Sequence, residues 1–445
     1  MKNILILVPK CSGPSKEKKW NSTWPADLEE KIDKLLWKVF TPGVLVIANL
    51  TDRTKYYIDL VDEMFNEVDA DKHYDIVAMY TVTPNVKRAY MWADFYKSKG
   101  TYVVLGGVHS SVCPDEAERY ADTLLIGEAE NIWVEFLKDY ELKETKKIYS
   151  QPIGVIDVTK SPIPAFDMLP QNARKIIPIQ TARGCPHGCK FCNLRSIYGN
   201  GYRPKTAEAI VHELKAALTA NPRAIIYFTD DNFFCYQERA KEVLESIREL
   251  KITWYANTDI QFGLSQELVE AAYESGCRSV LIGLESINPE SLKGIDQNNF
   301  KNSNCMKYQE VIKTIQSTGI GVIGSFIIGL DYDNKDIFDK LACFIQENAL
   351  YGANITVNTP YPGTILFRQM NDEGRIKTFD WNYYTIFEPV IEPRNMSVEE
   401  LNIGYQKLLS RIYEHNNVME RINAFKNQMR HSSKPCVRAT DMSNN

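Results

Sequence analysis

Short, unbroken apolar runs punctuate the first third of the chain, at residues 3–9, 56–61, 75–80, 101–107 and 122–127. Between them apolar residues recur at three- and four-residue spacing, most plainly over 85–99, which is the period of a helix face. Alternation of buried strands with such helices predicts a parallel sheet covered on both sides. A second series follows. Strands are predicted over 175–181, 224–229, 252–257, 279–284, 321–328 and 354–358, with helices near 206–219, 237–250, 265–275, 304–318 and 335–348. Six βα units of this length predict a partial or full parallel barrel, whose chemistry sits at the C-terminal ends of its strands.

Between the two series the character changes. Pro152, Pro162, Pro164 and Pro170 interrupt regular structure, which predicts a linker over 148–172. The chain thus divides into an α/β doubly wound domain (1–147), the linker, a barrel-like domain (173–365), a mostly helical region (366–430) and a polar tail (431–445) predicted to be disordered. One or two amphipathic helices are predicted over 397–428. Ser397 opens them with Glu399 and Glu400 close behind, a capping arrangement.

Composition narrows the function classes. The 445 residues are 44% hydrophobic, enough for large cores, and carry a net charge of −5. No basic excess exists to neutralise a phosphate backbone, which argues against a nucleic-acid partner. The apolar start, Ile4 to Val8, reads as a buried strand rather than a signal peptide. No apolar run reaches the roughly 18 residues of a membrane span. A cytoplasmic protein is expected, with its ten cysteines kept as thiols. Seven of them are scattered (Cys11, Cys113, Cys235, Cys277, Cys305, Cys343 and Cys436) and are expected as small buried hydrophobes.

The other three are not scattered. Cys185, Cys189 and Cys192 fall within eight residues, directly after the first predicted barrel strand. Gly184, Pro186 and Gly188 make this segment a loop able to wrap a small object. A structural zinc normally takes four ligands, often as two separated pairs, and no second pair follows at such a distance. Iron–sulfur electron carriers are held by four cysteines. Three would leave one iron open to a substrate. Zinc, or no metal, stands as the alternative.

This Cys-x-x-x-Cys-x-x-Cys run, with Phe191 before its last cysteine, resembles the signature of radical S-adenosylmethionine (SAM) enzymes. The resemblance implies a 4Fe–4S cluster on Cys185, Cys189 and Cys192. Its open iron would chelate SAM, and one electron would cleave SAM to a 5′-deoxyadenosyl radical. It also implies SAM contacts at later strand ends: Asp230 and Asp231 after the second strand, Glu285 and Ser286 after the fourth, and Gly329 after the fifth. Thr359 to Thr364 looks like a family turn after the sixth strand.

The first 147 residues resemble the cobalamin-binding domain of hopanoid and bacteriochlorophyll side-chain methylases, through Phe40 to Val44, Asp62-Glu63, Gly106-Gly107-Val108-His109 and Gly127 to Glu130. In doubly wound sheets ligands lie at C-terminal strand ends. The resemblance therefore implies cobalamin beside Thr81, Thr83, Gly106, Gly107, His109, Gly127 and Glu128. Taken by itself, the Gly-Gly pair reads as a tight turn. One departure matters: no Asp-x-His-x-x-Gly stretch exists, and Asp71-Lys72-His73 lacks the glycine. His73 is expected in an exposed loop, and the lower cobalt face is expected without histidine.

The implied activity is cobalamin-dependent methylation of an unactivated carbon of a small molecule or lipid, fed by an electron donor such as flavodoxin or ferredoxin. Two rivals are a cobalamin-independent radical dehydratase, decarboxylase or epimerase, and a redox or metal sensor using its cluster structurally. Trp254, Tyr255, Tyr361, Trp381, Tyr383 and Tyr384 are pocket candidates, though ordinary core packing explains each equally well.

Overall fold

The computed structural model describes residues 1–11 and 38–431. Most of the polar tail and Cys436 lie outside the described residues.

Six parallel strands form the first sheet: β1 (Lys2–Val8), β2 (Tyr56–Asp62), β3 (Ile76–Tyr80), β4 (Tyr102–Gly106), β5 (Thr123–Ile126) and β6 (Ile148–Ser150). Their order is β2-β1-β3-β4-β5-β6. The chain leaves β1 in opposite directions toward β2 and β3, and a doubly wound sheet opens its ligand crevice at such a point. Alternate residues of each strand feed two different cores. Ile4, Ile6, Ile76, Ala78 and Val104 pack under the helices Pro42–Leu50 and Glu130–Leu142. Leu5, Leu7, Val77, Met79 and Leu105 pack under Val86–Ser98. Burial on both faces explains the unbroken apolar runs.

The second sheet joins β7 (Ile176–Ile179), β10 (Ile225–Phe228), β11 (Thr253–Thr258), β12 (Cys277–Glu285), β13 (Gly321–Ile328) and β14 (Gly352–Val357), all parallel and in chain order. It is an open half-barrel with helices outside. Between β7 and β10 a two-residue antiparallel ladder, β8 (Ala182–Arg183) with β9 (Arg203–Pro204), encloses the cysteine loop.

The proline-rich stretch is not a free linker. Its start is β6, paired with β5. Ala165, Phe166 and Leu169 are buried, and Ala165 N donates to Leu45 O at 3.0 Å. Prolines here end regular structure without freeing the chain, because apolar residues beside them still find a core.

The C-terminal region is mostly helical, as expected, beginning with a helix over Ile365–Asp372. Helices Val398–Ile412 and His415–His431 form, the first opened by a reciprocal cap between Ser397 and Glu400. Between the helix over Ile365–Asp372 and these two, Trp381 in a short 3-10 turn and Tyr384, Val390 and Ile391 in irregular chain pack into the core of the first domain. Trp254 and Tyr255 are buried as well, so four of the six aromatic pocket candidates are core residues. Cys277 is buried as expected, but Cys11 and Cys343 are exposed. No described helix is long and apolar enough to cross a membrane.

Candidate active site and its family

The cysteine loop starts where β7 ends, and its backbone is pinned at several points. Asp230, after β10, accepts from Thr181 N at 2.6 Å, Ala182 N at 3.1 Å and the Thr181 hydroxyl. Asp231 accepts from Gly184 N at 3.2 Å. Gly184 has φ +96°, and a Cβ there would lie 2.0 Å from Gly201 O, so only glycine fits. Gly188 has φ +59° and gives its space to the Arg195 guanidinium, 2.2 Å from where a Cβ would be. In mid-loop, His187 Nε2 lies 2.5 Å from Asp259 Oδ2, which also accepts from Asn232 Nδ2 at 2.7 Å. Burial pushes the Asp259 carboxyl up, but His187, Asn232 and Gln261 N outweigh it and hold it below the usual carboxylate range. The loop leaves through Ser196 Oγ, which donates to Gly363 O at 2.9 Å.

Cys185, Cys189 and Cys192 are half-buried free thiols. Burial pushes all three up, Cys192 to about 12, and the neighbouring Cys185 raises both Cys189 and Cys192 further. A metal centre binding there must therefore displace protons. Among the described residues, no three acidic, histidine or cysteine side chains converge on one ion-sized point. A cluster that takes one thiolate per iron does not require such convergence, so the donor set fits it.

The structure divides the remaining site residues. Asp230 is 1% exposed with both oxygens engaged. It is an anchor of the loop, where the family pattern implied a SAM contact. Asp231 is the more available carboxylate; burial pushes it up to about 7. Glu285 ends β12 at a register shift with φ +63°, rare for a residue with a side chain. Ser286 Oγ caps the following turn by accepting from Asn288 N at 3.0 Å. Gly329, at φ +80°, sits beneath Leu401, 2.9 Å from a would-be Cβ, so its lack of a side chain serves chain packing.

In the first domain, Gly106, Gly107, Gly127 and Glu128 line an apolar cavity of about 160 Å³ that opens to solvent. Its walls include Val44, Ile47, Ala78, Val104 and Leu125 from the first domain, and Arg183, Ile197 and Tyr198 from the chain around the cysteines. Thr81, Thr83 and His109 do not line it. Thr81 bonds Gly106 O and Ser110, and His109 is buried between Thr83 and Trp381. Gly107 lines the cavity, but its lack of a side chain serves its own turn: a Cβ would lie 2.6 Å from Thr81 O. The open positions are Gly43 and Gly127, where a Cβ would meet nothing within 4 Å. No histidine is among the lining residues, and His73 is exposed.

Three features escaped sequence reasoning. Glu128 is bound by Arg183 at 2.6 Å and Arg203 at 3.0 Å, while Arg183 also pairs with Glu130. This buried cluster ties the β8–β9 ladder to the first domain. Asp259 and Lys301 stand at the cysteine loop and beside Glu285. Each carries an ordinary charged residue type, and only the fold brings it to the site.

Residues 179–345 match the Radical SAM superfamily, and residues 364–444 match DUF4070, a domain of unknown function. Bacteriochlorophyllide d C-12(1)-methyltransferase of Chlorobaculum tepidum is 31% identical over 389 residues, covering 85% of this chain and 84% of its own. The C-8(2)-methyltransferase of the same organism is 29% identical over 372 residues, covering 80% and 81%. Among solved structures, the radical SAM methyltransferase TsrM of Kitasatospora setae, with cobalamin and a 4Fe–4S cluster bound, matches with a TM-score of 0.68. It shares 13% identity, covering 100% of this chain and 93% of its own, so that likeness is one of fold. Identity at the level of the first relative, sustained over most of both chains, places the protein in the radical SAM superfamily beside the bacteriochlorophyllide methyltransferases.

Proposed function

We propose that the protein is a cobalamin-dependent radical SAM methyltransferase acting on an unactivated carbon of a small molecule or lipid. The position of the cavity carries this reading. It opens at the strand ends of the first sheet and is closed on its far side by residues flanking the cysteine loop. A ligand held there faces the cluster site. Its apolar walls, its solvent-open side and the free space over Gly43 and Gly127 suit the apolar edge of an organic cofactor. No histidine lines the cavity, so none of these residues would ligate a bound cobalt.

When bound, the cluster supplies reductive cleavage of SAM to a 5′-deoxyadenosyl radical, and cobalamin supplies a methyl carrier. The chain's own part is to hold and orient them. Cys185, Cys189 and Cys192 bind the cluster. Of the two aspartates implied as SAM contacts, Asp231 would accept from the SAM amino group, and Glu285 would contact the ribose and methionyl part. The ion cluster of Arg183, Arg203, Glu128 and Glu130 holds the two domains together and shields the space between them from water. Flavodoxin or ferredoxin in the cytoplasm supplies the electron.

SAM carrying a deuterated methyl group tests the proposal. Cobalamin-loaded protein, a reductant and extracts of the source cells should give 5′-deoxyadenosine, S-adenosylhomocysteine and a product labelled on carbon. If 5′-deoxyadenosine forms without labelled product, and no cobalamin is retained, the dehydratase, decarboxylase or epimerase reading replaces this one.

A further inference from the structure

Lys301 has no part in the chemistry assigned above, yet it is a lysine only 6% exposed at the mouth of the half-barrel. Its backbone is fixed by Asp296, which accepts from Phe300 N at 2.8 Å and Lys301 N at 3.1 Å. This segment lies directly on the cysteine loop. Lys190 N donates to Ile295 O at 2.9 Å, and Gln297 N to His187 O at 3.3 Å. Phe300 stacks on the His187 ring with centroids 4.3 Å apart.

From there the Lys301 ammonium reaches the end of β12. It donates to Gly283 O at 2.9 Å and to Glu285 Oε1 at 2.8 Å. The pair fits because residue 283 has no side chain. A Cβ there would stand 2.6 Å from Glu285 Oε1 and 3.2 Å from Lys301 Nζ. Glu285 adopts its left-handed conformation at this contact. Buried ion pairs add little to stability, so a pair held in strained backbone against the cysteine loop points to a task other than folding.

We propose that Lys301 is a positioning residue of the cluster site, which holds Glu285 in place and sets a fixed positive charge against the thiolate-bound cluster. This rests on ligation by Cys185, Cys189 and Cys192. Taking one electron changes the cluster from 2+ to 1+, so a nearby cation favours the reduced form, and net charge is among the factors that set cluster potentials. Glu285 opposes Lys301. The two side chains should therefore shift the potential in opposite directions.

The test uses the full chain, reconstituted anaerobically with iron and sulfide and titrated with dithionite and mediators without SAM. The reduced cluster is read by electron paramagnetic resonance. Lys301→Met should lower the midpoint and Glu285→Gln should raise it, each by about tenfold in the reduction equilibrium, ~59 mV for one electron. Lys301→Arg should stay near wild type, as should the double variant Lys301→Met/Glu285→Gln, which removes both charges. Single variants that hold iron but leave the midpoint unmoved, or move it in the same direction, overturn the proposal. Should Lys301→Met fail to hold iron, Glu285→Gln decides: an unmoved midpoint overturns the proposal. Wild-type protein that takes up no reducible cluster would instead overturn the ligand assignment beneath it.

Discussion

Replacing Asp230 by alanine separates an anchor from a ligand contact. The change deletes the acceptor of Thr181 N, Ala182 N and the Thr181 hydroxyl. It also removes the carboxylate 3.8 Å from Arg239 Nη1. Two buried N–H groups left without partners cost roughly 1–3 kcal/mol each. Arg239 keeps its bonds to Thr181 O and Oγ1, so its loss adds little. The total is about 2–6 kcal/mol, against a usual domain stability of roughly 5–15 kcal/mol. The loss falls on residues 181 and 182, just ahead of Cys185, so it should appear as a lower urea midpoint of the apoprotein and poor iron uptake. Asp231→Asn should keep both and weaken SAM binding, as measured by calorimetry on reconstituted protein. If Asp230→Ala kept the wild-type urea midpoint and full iron while losing SAM affinity, the anchoring role would be wrong.

Gly43→Phe should fill the cavity without backbone strain, because Gly43 is helical and nothing lies near its Cβ direction. Cobalamin retention after desalting should fall while the circular dichroism spectrum and iron content stay unchanged. Arg183→Met leaves Glu128 and Glu130 without that cation and should cost about 3–5 kcal/mol, read by urea melts and by faster proteolysis near the β8–β9 ladder. Arg183→Lys should rescue only in part, since one ammonium cannot span both carboxylates. The folded-state Asp231 carboxyl sits at about 7 against an ordinary 3.8. Between those values the unfolded chain releases its proton first, so apoprotein stability should fall as pH rises from about 4 to 7. In Asp231→Asn that fall should shrink.

Both sheets were legible because parallel strands buried on two faces leave apolar runs that few other elements imitate. The cysteine loop was legible because three thiols at tight spacing are rare. Roles at the strand ends were less so. Asp230 and Asp231 are chemically identical neighbours, and only the fold turns one into the loop anchor and leaves the other available. Gly107 and Gly43 differ in the same way. Gly107 makes a turn against Thr81, whereas Gly43, inside a helix, makes the room. Lys301 and Asp259 reach the site from loops remote in sequence, and no local spacing marks them. The proline-rich stretch read as a linker because proline predicts the end of regular structure and says nothing about burial of Phe166 or Leu169.

Metal analysis of one preparation tests the central claim most directly. Protein expressed with iron, sulfide and hydroxocobalamin supplied, purified anaerobically and desalted, should carry about four irons and about one cobalt per chain, the cobalt held at the apolar cavity beside Gly43 and Gly127. A Cys185→Ala/Cys189→Ala/Cys192→Ala variant should lose the iron and keep the cobalt. Wild-type protein holding its iron but no cobalt under any loading condition would contradict the cobalamin-dependent assignment. A triple variant that kept its iron would contradict the cluster site itself.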